Sequence, residues 1–122
     1  MRSKRVSPAS FEVDHEVAAG RQSFVLRGEL DLVAAPTLEA MLRDAAERGF
    51  SALHLDLSGL SFMDSTGLHM VLLAQNLADT LEGELSIVPG TPRIQRLFQV
   101  SGLLDTLPWT DAAAASPGSG EL

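Results

Sequence analysis

The stretch Leu55-Asp56-Leu57-Ser58-Gly59-Leu60-Ser61-Phe62-Met63-Asp64-Ser65-Thr66-Gly67-Leu68 decides how the chain is read. Its first residues complete the run Ala52-Leu53-His54-Leu55-Asp56-Leu57, whose apolar-polar alternation predicts a central strand. Ser58 to Met63 reads as a short connection. A helix then opens at Asp64-Ser65, both strong capping residues, and runs to about Leu81 before Gly83 closes it. Gly67 allows close backbone approach inside its first turn. Met70, Leu73, Ala74, Leu77, Ala78 and Leu81 form one apolar stripe, and Leu68, Val71 and Leu72 a second. One surface helix needs a single broad stripe. The excess is either buried on two sides or left as a partner surface. A hydroxyl at the positive end of a helix, where a strand delivers it to the surface, suits a regulatory phosphate; the same residues also make an ordinary capped helix.

Phe11 to Val17 alternates as a half-buried strand, Ala19-Gly20 turns the chain, and Ser23 to Leu30 reads as the hairpin partner. Pro36 suits the first turn of a helix carrying Leu38, Met41, Leu42 and Ala45 on one face. Glu39/Arg43 and Asp44/Arg48 are i,i+4 pairs on its other side, and Gly49 ends it. After the long helix come a strand at Glu84–Val88 and a helix capped by Thr91, with Pro92 first and Ile94, Leu97 and Phe98 facing inward. Gly102 stops it, and Thr106 to Trp109 reads as a short edge strand. The order β-β-α-β-α-β-α predicts a single-domain α/β fold, its sheet mixed in direction because the hairpin is antiparallel. Residues 1–9 are expected to be a flexible basic segment, residues 10–110 the folded domain, and residues 111–122 a flexible tail of small residues.

A chain of 122 residues suits one domain. The formal charge is −7, and because Arg2, Lys4 and Arg5 lie at the start, positions 6 onward carry six basic against sixteen acidic residues. Such a body repels phosphate backbones and anionic lipid, which argues against nucleic-acid or membrane-surface partners. Lys4 is the only lysine, so a P-loop or Schiff-base lysine is excluded from the body. Cysteine is absent, which removes disulfides and thiolate metal sites and fits a reducing, cytoplasmic setting. No run approaches the roughly 20 apolar residues of a spanning helix, and residues 1–9 lead into no signal-peptide core.

The run LDLSGLSFMDSTGL resembles the signature of STAS domains, in particular of anti-sigma-factor antagonists. Three further stretches, in order, carry the same resemblance: Gly28-Glu29-Leu30-Asp31-Leu32 with Ala35-Pro36, the helix Thr91 to Leu97, and Val100-Ser101-Gly102-Leu103. The resemblance implies a STAS-like mixed sheet of four to five strands with three to four helices. It also implies an anti-anti-sigma factor. In that family the residue after the motif aspartate is phosphorylated, here Ser65, with Thr66 the alternative. The kinase is the partner itself, an anti-sigma factor with an ATPase-like fold. The unphosphorylated antagonist captures that factor and frees the sigma factor, and a PP2C-type phosphatase restores it. The implied partner-binding residues are Asp31, Asp64, Ser65, Thr66, Gly67, Leu68, His69 and Leu72. No cofactor, metal or small-molecule substrate is expected of this chain, and no catalysis.

Other readings of the residues are weaker. His69 follows Ser65 by four positions, so a serine hydrolase can be imagined, but Met63 stands where G-x-S-x-G needs its first glycine. His15, His54 and His69 lack ligand spacing. A STAS scaffold or accessory subunit of a stress-sensing or lipid-transport complex would share the fold and dock constitutively. Asp31, Asp56 and Asp64 are expected at one edge of the sheet, where a phosphate would meet them.

Overall fold

A computed structural model describes residues 2–6 by their backbone and residues 10–111 in full. The elements are β1 (Arg2–Val6), β2 (Phe11–Ala18), β3 (Arg21–Leu30), α1 (Ala35–Arg48), β4 (Ala52–Met63), α2 (Ser65–Thr80), β5 (Glu84–Val88) and α3 (Pro92–Val100), with a 3₁₀ turn at Leu104–Thr106. The five strands lie in sequence order across one sheet. β2 pairs antiparallel with both β1 and β3, β4 pairs parallel with β3, and β5 parallel with β4. This is the mixed α/β sheet that the hairpin and the alternating helices predict.

Three local expectations need correction. The first residues were expected to be flexible, but Arg2–Val6 pair with β2 as an edge strand, Arg5 standing in register with Asp14. The outer N–H and C=O groups of β2 need partners, and any extended segment can supply them whatever its side-chain pattern. The connection expected at Ser58–Met63 is instead the second half of β4, which stays paired with β3 through two register shifts. Each shift inserts an extra β4 residue, which breaks the period-two pattern while the ladder continues. Gly59 permits the first: a Cβ there would lie 2.8 Å from the Leu26 carbonyl oxygen. The last expected strand shrinks to one bridge between Ile87 and Trp109, with Ile87 N–H donating to the Pro108 carbonyl at 3.0 Å and Thr110 N–H to that of Ile87 at 2.7 Å. Beyond Asp111, the expected tail lies outside the described residues.

The helices cover one face of the sheet. Leu38, Leu42 and Ala45 of α1, Val71, Ala74 and Ala78 of α2, and Ile94 and Phe98 of α3 share one core with the inward positions of β2 to β5. Most of the double stripe of α2 is thereby explained, although Leu72 is only half-buried and Leu81 is exposed. Val71, Ala74 and Ala78 are fully buried, and Leu73 and Leu77 pack at the margin of the same core. Both charged pairs of α1 form, at 3.0 and 2.9 Å, and Gly49 takes φ 86° just past its end, where only glycine is unstrained. Among the described residues two polar side chains are buried and both are bonded: Gln22 donates to the carbonyls of Ala45 and Gly49 at the end of α1, and His54 meets the Ser86 hydroxyl at 2.8 Å.

Candidate functional site

The carboxyl ends of β3 and β4 lie side by side, Leu30 in register with Met63. From this edge β3 turns into α1 and β4 into α2. Asp64 is the cap of α2: its backbone is extended, and its Oδ1 accepts the Thr66 N–H at 2.9 Å. The carbonyl of Asp64 accepts the Gly67 N–H at 2.9 Å, while its own N–H donates to the Leu30 carbonyl at 3.4 Å. The start of α2 is thus tied to the end of β3 as well as β4. Gly67 makes that closeness possible. A Cβ there would overlap the Met63 side chain and lie 3.3 Å from Leu30 Cδ2.

With Asp64 directed at Thr66 N–H, the neighbouring Ser65 is left exposed, and its hydroxyl has no hydrogen-bond partner among the described residues. It stands at the first position of a 16-residue helix, where the aligned peptide dipoles favour an anion. Thr66 is half-buried. His69, one turn further on, is exposed, and Leu72 is half-buried. No hydrogen bond joins His69 to Ser65 among the described residues, and the carboxylate that a hydrolase would aim at the histidine is engaged by backbone instead.

Asp31 is half-buried at the end of β3, and its Oδ1 accepts the N–H groups of Val33 and Ala34 at 3.0 and 3.1 Å. It therefore builds the turn that starts α1. Three residues lie elsewhere than on the exposed surface of this edge. Gly67 and Leu68 are buried, the one against Met63 and the other within the core, so they shape the surface from below. Asp56 is not at this edge. It pairs in register with Val25, five β3 residues or about 17 Å short of Leu30, and its Oδ1 takes the N–H and hydroxyl of Ser58 at the first bulge. Sequence reading missed the apolar pair that Asp31 displays: Leu32 and Val33 are 74 % and 69 % exposed. Apolar residues beside a strand are ordinarily assigned to the core, and no local pattern marks these as outward.

The STAS domain matches residues 14–115 of the sequence. The chain belongs to the STAS domain family. The anti-sigma-B factor antagonist of Staphylococcus aureus (strain NCTC 8325 / PS 47) is 35 % identical over 80 residues, covering 66 % of this chain and 74 % of that protein. Among solved structures, the anti-sigma factor antagonist SpoIIAA in its unphosphorylated form is similar with a TM-score of 0.73 and 26 % identity, over 84 % of this chain and 91 % of that one. The phosphorylated form of SpoIIAA, a Bacillus cell fate determinant, is similar with a TM-score of 0.68 and 25 % identity, over 84 % and 95 %. Among the described residues of this STAS domain no helix is long and apolar enough to cross a membrane, and no three His, Cys, Asp or Glu side chains converge as a metal site.

Proposed function

We propose that this STAS domain is an anti-anti-sigma factor that is switched off by phosphorylation of Ser65. The observation that carries the reading is the Ser65 hydroxyl, exposed and without a hydrogen-bond partner among the described residues, at the first position of α2 beside a capping aspartate that is already engaged. The resemblance to anti-sigma factor antagonists, one of them solved in unphosphorylated and phosphorylated forms, supports it. In its unmodified form the chain binds an anti-sigma factor and releases the sigma factor. The anti-sigma factor, acting as a serine kinase in the cytoplasm, brings ATP and Mg²⁺ and transfers the phosphoryl group to Ser65; a PP2C-type phosphatase removes it. The chain is substrate and ligand in this cycle.

The switch works through the surface. A phosphoserine adds about −1.5 to −2 charges. The helix dipole favours that charge by about 0.3–1 kcal/mol. Repulsion from the adjacent Asp64 carboxylate, taken about 6 Å away in water-like surroundings, is about 0.7 kcal/mol for each unit of charge. For that charge the repulsion comes to about 1–1.4 kcal/mol, so the net cost within the folded chain is at most about 1 kcal/mol, small beside the stability of a domain; the fold is kept while the docking face becomes far more negative. Phosphopeptide mapping after incubation with a kinase-type anti-sigma factor and ATP tests the assignment. Phosphate on Ser65 is expected; phosphate on Thr66 alone, or on neither, overturns it.

A further inference from the structure

Leu32 and Val33 stand at the tip of the turn between β3 and α1, 74 % and 69 % exposed. Single exposed apolar residues are common on protein surfaces; two consecutive large ones held outward are not. The turn is fixed from beneath. Asp31 Oδ1 accepts the N–H groups of Val33 and Ala34, the Asp31 carbonyl accepts that of Ala35 at 2.9 Å, and Ala34 and Ala35 are buried. The apolar pair is therefore displayed by a rigid support, which lowers the conformational entropy lost on binding. Phe62, 43 % exposed, lies in register with Glu29 on the adjoining strand end, and the start of α2 with Ser65 is tied to Leu30. The acids of this edge, Glu29, Asp31 and Asp64, form no ion pair among the described residues, whereas Asp14, Glu39 and Asp44 elsewhere are matched to arginines.

We propose that Leu32 and Val33 are the apolar anchor with which this chain docks its anti-sigma factor, entering an apolar pocket whose rim carries arginine or lysine side chains. The inference rests on the functional reading above and adds the partner's chemistry to it. An apolar anchor at an edge whose carboxylates form no ion pair among the described residues asks for a pocket of that kind, in the usual division between a desolvated centre and a polar rim. Anchor and phosphate then act differently: burial of Leu32 and Val33 supplies affinity in any salt, while charge at Ser65 acts against the basic rim and is screened.

The test measures binding of purified anti-sigma factors with a kinase fold, one at a time, to the full chain and to three variants, at low and high salt. The variants are Leu32→Ser/Val33→Ser, Ser65→Glu, and Val100→Ser as an equally exposed control at the end of α3. The double variant is expected to keep its melting temperature and lose about 30-fold in affinity at both salt concentrations. Val100→Ser should bind like wild type, and the loss in Ser65→Glu should shrink with salt. Wild-type affinity in the double variant, with Ser65→Glu still weakened, overturns the anchor and leaves the functional reading standing. Unchanged affinity together with loss of self-association assigns the patch to a second copy, and also overturns it. Failure of the wild-type chain to bind any such factor removes the functional reading, and the anchor with it.

Discussion

Asp64→Ala separates what holds α2 from what switches it. In the folded chain Asp64 Oδ1 accepts the Thr66 N–H at 2.9 Å, one of the free donors at the start of a helix that spans the sheet and buries six of its residues. Removing a capping side chain costs about 1 kcal/mol, and for a domain of this size that lowers Tm by about 4–8 °C. Asp64→Asn keeps an acceptor in place and should stay within about 0.5 kcal/mol of wild type. Among the described residues the Ser65 side chain has no hydrogen bond to lose, and a negative side chain there meets opposing dipole and carboxylate fields, so Ser65→Glu should move Tm by no more than about 2 °C. Thermal unfolding followed by circular dichroism, with urea melts for the free energies, resolves these values. A Tm in Asp64→Ala equal to wild type, or a fall in Ser65→Glu as large as in Asp64→Ala, refutes the division of labour between the two side chains.

Gly67→Val should destabilise the chain by about 1–3 kcal/mol in urea melts, since even a Cβ overlaps Met63; Gly67→Ala should cost less, because alanine regains about 1 kcal/mol of helix propensity. Leu73→Asp places a carboxylate at the margin of the core and should lower stability measurably by the same assay, not merely remove binding. Burial above all, with Arg21 adding to it, holds the pKa of His54 below its ordinary value, against smaller opposing effects of Asp56 and of hydrogen bonding with Ser86. The unfolded chain therefore takes up the proton first. Stability should be undiminished above about pH 6.5 and fall as pH drops from there through the folded-state pKa, a slope that His54→Gln should flatten in urea melts across that range.

Much of the fold is legible because its signals are periodic and its ends are capped. Leu38, Leu42 and Ala45 mark α1, Thr91 and Pro92 start α3, and Ala19-Gly20 sits at the hairpin turn, with both residues at positive φ. What escapes has no periodic trace. Bulges erase the alternation of Ser58–Met63, although pairing with β3 keeps it extended, and β1 is recruited by the backbone edge of β2. In the candidate site, Asp64 and Ser65 are readable from capping chemistry and from the family resemblance. The burial of Gly67 and Leu68 depends on how closely α2 approaches Met63 and Leu30, which no one-dimensional pattern encodes. Asp56 is misplaced by the same error that ends β4 early: a strand thought to stop at Leu57 puts Asp56 at an edge that lies beyond the two bulges.

The central claim is that phosphate on Ser65 changes docking and not folding. Titration of one kinase-type anti-sigma factor with the unmodified chain and with chain phosphorylated at Ser65, paired with the melting temperature of each form, measures both halves together. Tight binding by the unmodified chain is expected, with a fall of at least about 100-fold on phosphorylation, equivalent to about 2.8 kcal/mol, and melting temperatures that differ by no more than about 8 °C. Equal affinities of the two forms, or a loss of binding that tracks a collapse in Tm, would contradict it.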